Sequence, residues 1–306
     1  MKKVLVIGST VVDVIVNLVD HLPRTGEDVH VKSQHMSLGG CAYNVSDSIR
    51  HFEVPYVLFS PVGTGAYGQF VRDNLASRGI TTPIPTPDQD NGCCYCFVEN
   101  TGERTFICYH GAEYLFRKEW FDLLDLSEFD AVYICGLEIE ETTGPVIVDF
   151  LEAHPWLRIF FAPGPRLNVI SPELLERLYR LSPVLHLNET EALTVSGCTD
   201  VSSAAHWLYN LTHNTVIVTL GEQGCFYYDG SKENLLPSIP VSPVDTIGAG
   251  DSHIGAVIAC LQKGDDLETA IAKANQVSAA VVATSGALLP DKKFRELSVG
   301  NPKFTA

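Results

Sequence analysis

Basic residues are scarce. The 306-residue chain holds 21 Lys and Arg against 37 Asp and Glu, a formal net charge of −16. A nucleic-acid backbone is bound by a basic surface, so this balance argues against a nucleic-acid partner. It does not exclude a small anion, because a local cluster of N–H donors can hold one. Long apolar runs are also missing. No stretch reaches the roughly 20 residues of a membrane span, and no membrane partner is expected. The start, MKKVLVIGST, places two lysines before apolar residues, as a secretion signal does. Its apolar part, Val4 to Ile7, is short and breaks at Gly8. It reads as a first buried strand, and a cytoplasmic location is expected.

Metal and dinucleotide patterns are lacking as well. Nine cysteines are spread through the chain, with Cys93, Cys94 and Cys96 together and Cys108 nearby. No matching second pair completes a zinc site. They read as small apolar residues on a strand, Cys94 and Cys96 on one face and Cys93 on the other. Free thiols suit a reducing compartment. The first strand runs into Gly8-Ser9-Thr10-Val11-Val12-Asp13 rather than a G-x-G-x-x-G turn. That excludes the dinucleotide fingerprint of an oxidoreductase.

What is present is an alternation. Short apolar runs at Val4–Ile7, Tyr56–Ser60, Ala131–Cys135, Arg158–Ala162, Val184–Leu187 and Val216–Leu220 are each followed by helical spacing. Alternating β and α units predict a doubly wound, mostly parallel sheet flanked by helices, with ligands at the carboxyl ends of the strands. Two regions break the rhythm, Val14–Val31 and Gly92–His110. In the second, alternating runs flank Asn100-Thr101-Gly102 and predict a β-hairpin. Residues Thr81–Asp90 read as a proline-rich connector into it.

The densest chemistry lies in PVDTIGAGDSHIGAVIACL, Pro243 to Leu261. Ile254, Val257, Ile258 and Leu261 form a helical stripe beginning near Asp251, with Gly264 past its end. The turn Gly248-Ala249-Gly250 has almost no side chains, so its N–H groups can converge at a positive helix end and hold an anion. No Gly-Lys-Ser/Thr follows, so it is not a P-loop. Asp251 beside this hole has two readings: an N-cap, or a general base toward a hydroxyl attacking a phosphoryl group.

Asp245-Thr246-Ile247-Gly248-Ala249-Gly250-Asp251 resembles the D-T-x-G-A-G-D motif of the PfkB, or ribokinase-like, kinases of sugars and nucleosides. Gly39-Gly40-Cys41-Ala42-Tyr43-Asn44 resembles that family's G-G-x-x-x-N, Asn188-Glu189-Thr190-Glu191 its N-x-x-E, and Thr219-Leu220-Gly221 with Gly224 its T-x-G-x-x-G. The resemblance implies a ribokinase-like fold, one kinase domain over residues 1–306, and a small β-sheet lid from about 14–35 and 92–110. It implies transfer of the γ-phosphoryl group of ATP to a hydroxyl of a sugar-like substrate. Asp251 is then the base and Gly248, Ala249 and Gly250 the anion hole. Asp13, Gly39, Gly40, Asn44 and Glu138 would bind substrate; Glu138 reads equally as a solvated loop acid. Asn188, Thr219, Gly221, Gly224, Thr246 and Asn275 would bind the nucleotide; Thr219 also reads as a plain strand end and Asn275 as an exposed helix residue. Asn188 and Glu191 would organise Mg²⁺ through water, and K⁺ would lie near Asp245 and Thr284–Ala287.

A homodimer joined through the lid is a further expectation. Arg104 reads as reaching the site or lying on its rim, Tyr43 as stacking on substrate or packing in its helix, and His253 as a packing variant. The family's ribokinase carries a lysine in the first motif, which Cys41 replaces, so ribose itself is not singled out. A nucleoside acceptor and a non-catalytic sensor of sugar or nucleotide are the alternatives.

Overall fold

The computed structural model describes residues 1–101, 103–297 and 299. The glycine at the tip of the expected hairpin, Gly102, and the end of the expected domain, 300–306, lie outside them. The strands are β1 (Lys3–Ile7), β2 (Val11–Leu18), β3 (Val31–Gly39), β4 (Tyr56–Phe59), β5 (Cys93–Val98), β6 (Arg104–Tyr109), β7 (Phe129–Cys135), β8 (Arg158–Ala162), β9 (Val184–Asn188), β10 (Val216–Thr219), β11 (Cys225–Tyr228) and β12 (Glu233–Leu236).

Eight strands form one sheet in the order β12-β11-β10-β9-β8-β7-β1-β4. Its six central and right-hand strands run parallel, while β11 and β12 join antiparallel. The sequence of β1 explains why it lies inside. Val4 and Val6 face one core with Val45, Ile49 and Val257, and Leu5 and Ile7 face a second with Val132, Ile134 and Phe161. A strand apolar on both faces needs cover on both sides. Helices Cys41–His51, Ala249–Gln262 and Leu267–Val282 cover the first face; Gly144–Ala153, Pro172–Arg180, Glu189–Ser196 and Val201–Thr212 cover the second.

The second sheet has four strands, β3-β2-β5-β6. It is longer than the expected lid, because β2 begins at Val11 and β3 runs to Gly39. Asp13 therefore lies within a lid strand rather than in a loop after β1. Val12, Val14, Val16 and Leu18 are buried in the first core with Val71 and Leu75 of helix Gly65–Ser77. Asp13 and Ile15 alternate onto the other face. Cys93 and Cys96, although spaced C-x-x-C, point to opposite faces of β5 for the same reason. Two buried polar side chains pin the junction of the sheets. Asn91 Oδ1 accepts from the Gly63 N–H at 2.5 Å, and Glu113 accepts from the Gly92 and Gly111 N–H groups at 2.8 and 3.0 Å.

Candidate active site

Gly248 starts the helix Ala249–Gln262 as its N-cap, with φ 73° and no capping side chain. A Cβ there would lie 2.4 Å from the Ala287 carbonyl oxygen, so only glycine fits the turn. Asp251 is thus the third helical residue, and the N-cap reading is excluded. The N–H groups of Gly250 and Asp251 have no hydrogen-bond partner among the described residues, whereas that of Ala249 reaches the Thr246 carbonyl at 3.3 Å. A Cβ on Gly250 would meet only open space. Free donors, a helix end and open space in front of them form an anion cradle.

The cradle separates two cavities. The larger, about 720 Å³, is lined by Thr219, Gly221, Gly224, Thr246 and Asn275, with a wall from Ser238 to Val241. The smaller, about 230 Å³, holds Asp251, Asn188, Glu191 and Thr219, and Gly250 lines both. Asp251 Oδ2 accepts from Asn44 Nδ2 at 2.9 Å, a contact spanning 207 residues. Burial pushes the Asp251 carboxyl up to about 6, opposed by Asn44 and the Cys41 thiol. At neutral pH it remains mostly ionised.

Asp13 lies near Asp251 on the lid sheet. Burial, then the Cys108 and Asp251 charges, push its carboxyl up to about 7. A Cβ on Gly39 would fall 2.0 Å from Asp13 Oδ2, and one on Gly40, with φ 97°, would fall 2.5 Å from the Ser9 carbonyl oxygen. The Gly-Gly pair therefore lets the chain start helix Cys41–His51 against Asp13 and the end of β1.

Glu138 is 1% exposed; its Oε1 accepts from the Ser9 N–H at 2.7 Å, and its Oε2 has no partner among the described residues. It is a buried acid, not a solvated loop residue. Tyr43 has no exposed surface, so its ring packs in the core and does not stack on a ligand.

Asn188 and Glu191 form a capping box. Asn188 Oδ1 accepts from the Glu191 N–H at 2.8 Å, and Glu191 Oε2 accepts from the Asn188 N–H at 2.9 Å. The helix Glu189–Ser196 thus fixes one oxygen of each residue. The second Glu191 oxygen and the Asn188 amide are left for the smaller cavity. The free Glu191 carboxylate oxygen fits Mg²⁺, which keeps most of its waters, and the Asn188 NH₂ can donate to a phosphate or a water.

Asn275 is 3% exposed, not an exposed helix residue. Its Nδ2 donates to the Leu236 and Pro237 carbonyls at 3.0 and 3.1 Å, so its Oδ1 must accept from His253 Nε2 at 3.1 Å. His253 Nδ1 then accepts from His186 Nε2 at 2.9 Å. Burial holds both rings well below the ordinary histidine range, His253 at about 4, so both are neutral. His253 is a hydrogen-bonded part of the wall of the larger cavity. Nothing in helical spacing could have paired it with His186.

The expected K⁺ site fails a test of fit. Asp245 Oδ1 accepts from Arg104 Nη1 at 2.5 Å and the Ile247 N–H at 2.9 Å, and Oδ2 accepts from the Gly286 N–H at 3.0 Å. A cation held by this carboxylate would sit against a guanidinium, and no step is assigned to one. Arg104 instead ties the lid to the turn.

A family profile described as pfkB family carbohydrate kinase matches residues 1–293. The chain is 30% identical over 289 residues to the uncharacterized sugar kinase YegV of Escherichia coli K12, covering 93% of this chain and 90% of that one. Among solved structures, ribokinase from Thermotoga maritima shares the fold with a TM-score of 0.83 at 23% identity, over 97% of this chain and 99% of that one. Arabidopsis thaliana ribokinase, complexed with ribose and ATP, has a TM-score of 0.77 at 18% identity, over 96% and 98%. A match that spans both sheets and every element of the cleft places the chain in the pfkB family of carbohydrate kinases.

Proposed function

We propose that this protein transfers the γ-phosphoryl group of ATP to a hydroxyl of a small sugar. The observation that carries the reading is Asp251, ionised and held by Asn44, beside free helix-end donors between two cavities. The larger cavity has the size of a nucleotide site. ATP lies there with its phosphates toward Gly248–Gly250. The acceptor lies between Asp13, Gly39, Gly40 and Asn44, with Asp251 beside its hydroxyl.

Asp251 takes the hydroxyl proton as the oxygen attacks the γ-phosphorus, and ADP leaves. A positioned base contributes about 10²–10⁴-fold. The Gly250 and Asp251 N–H groups stabilise charge on the transferring group, each such donor worth about 10²–10³-fold. Glu191 and Asn188 would hold Mg²⁺ through water; when bound, it neutralises phosphate charge. Three carboxyl groups around the acceptor, Asp13, Asp251 and Glu138, disfavour a phosphorylated sugar. The second sheet closes over the acceptor and keeps water from competing. A second copy of the chain is the partner assigned to the exposed lid side chains Met36, Ile107 and Tyr109.

The test is ADP release with Mg-ATP against a panel of neutral sugars, sugar acids and nucleosides, with the product located by phosphorus NMR. A sugar phosphate as product supports the reading. A nucleoside monophosphate moves the acceptor class to nucleosides. ATP binding without turnover on any acceptor supports a sensor and overturns the kinase.

A further inference from the structure

Two thiols on the lid sheet meet beside the acceptor side of the cleft. Cys94 and Cys108 oppose each other across β5 and β6, with Sγ to Sγ 3.2 Å. They continue a transverse row, Ser37–Asp13–Cys94–Cys108, over all four lid strands. Cys108 is exposed, Cys94 is half-buried, and all nine cysteines of the chain are free. Directly opposed sheet residues hold their Cβ atoms about 4.5–5.5 Å apart, and a disulfide asks for about 3.5–4.5 Å. A small backbone shift that draws the two strands together closes that gap, and rotation about χ1 then takes the sulfurs from 3.2 Å to bonding distance.

We propose that Cys94 and Cys108 form a redox-reversible disulfide at the rim of the acceptor cleft, with a hydroperoxide as oxidant. The Cys108 thiolate attacks the peroxide. An S–O bond forms, the O–O bond breaks, and the leaving hydroxide takes a proton to become water. Cys94 then attacks the Cys108 sulfur. The S–S bond forms, the S–O bond breaks, and a second water leaves with the Cys94 proton. Two thiols lose two electrons, and one hydrogen peroxide becomes two waters. A dithiol reverses the reaction by exchange.

The surroundings favour this pair over the others. The Cys94 thiol holds the Cys108 sulfur at about 6, helped by His110 and Arg166, so Cys108 supplies thiolate at neutral pH. Cys41 and Cys135 also lie close to each other, but both are pushed upward, Cys135 by its neighbour and by burial. They are poor nucleophiles.

The inference needs no kinase activity, and its first readout is chemical. The full chain is treated with hydrogen peroxide under native conditions. Two of the nine thiols should be lost, the intact mass should fall by two hydrogens, and a non-reducing peptide map should join the Cys94 and Cys108 peptides. Dithiothreitol should restore both thiols. Cys94→Ser should leave Cys108 as a sulfenic acid that traps with dimedone. A cross-link between other cysteines, or oxygen adducts on Cys108 of the native chain in place of the cross-link, overturns the proposal.

With an acceptor found by the panel, oxidation should raise the acceptor KM by roughly threefold or more and leave the ATP KM within about twofold. The row carries Asp13 and lies away from the nucleotide cavity. An equal change in both KM values contradicts that placement.

Discussion

Asp251 owes its chemistry to groups distant in sequence. Its carboxyl is raised to about 6 by burial, and the Asn44 amide favours the charged form. A base must be ionised, and a carboxyl ionises above its pKa. The kcat/KM profile should therefore rise with pH through about 6 and then level, with Asp13, at about 7, adding to the same limb. Asn44→Ala removes a donor to the charged form, so the limb should move to higher pH. A shift to lower pH would contradict the pairing. Glu191→Gln separates two roles at one residue. Glutamine keeps the capping box, so unfolding stability should change by no more than about 0.5 kcal/mol. Loss of the charge should raise the Mg²⁺ concentration for half-maximal rate by roughly tenfold, as measured by Mg²⁺ titration at saturating substrates.

At this scale the sequence was readable wherever chemistry sits in a short motif. The turn from Asp245 to Asp251 and the capping box of Asn188 and Glu191 span only a few residues. The Asn44–Asp251, His186–His253 and Arg104–Asp245 contacts span 207, 67 and 141 residues. No periodicity encodes such pairings; they exist only once the sheet order brings the elements together. Tyr43 shows the reverse limit. A pocket-motif position gives no sign of which side its ring takes, and burial in the first core decided it.

Among the elements, the parallel strands were legible because each is a short apolar run between polar turns. The ends of β2 and β3 were not. Val11 and Val12 extend the apolar character past Gly8, and nothing local marks where the chain passes from one sheet to the other. Gly40 makes that passage possible, and it offers a test. Gly40→Ala forces a Cβ against the Ser9 carbonyl at a φ of 97°, which should cost on the order of 1–3 kcal/mol. Thermal unfolding should show a clear drop in Tm. An unchanged Tm would mean the turn relaxes freely, and the close approach of helix Cys41–His51 to Asp13 would lose its basis.

For the molecule as a whole, two sheets of unlike face chemistry flank the candidate site. The large sheet is covered on both sides; the lid buries one face in part and leaves Met36 46%, Ile107 54% and Tyr109 64% exposed. Ile107 and Tyr109 stand on one face of edge strand β6 and Met36 on the opposite edge strand β3, and apolar side chains exposed on such edges fit an interaction surface. Sedimentation equilibrium should find a dimer, and Ile107→Lys with Tyr109→Lys should yield monomers. A native monomer at micromolar concentration would remove the second copy from the account. The acidic balance of the chain fits a small-molecule enzyme, and no helix among the described residues is long and apolar enough to cross a membrane.

The central claim is that Asp251 acts as the base at the mouth of a nucleotide site. The most direct measurement compares Asp251→Asn with the native chain, by ADP release with the identified acceptor and by calorimetric titration with Mg-ATP. Asparagine keeps the shape and the Asn44 contact surface but cannot take a proton. The account predicts a kcat lower by about 10²–10⁴-fold, with ATP affinity within about threefold of native. A kcat within an order of magnitude of native, at equal ATP affinity, would contradict it.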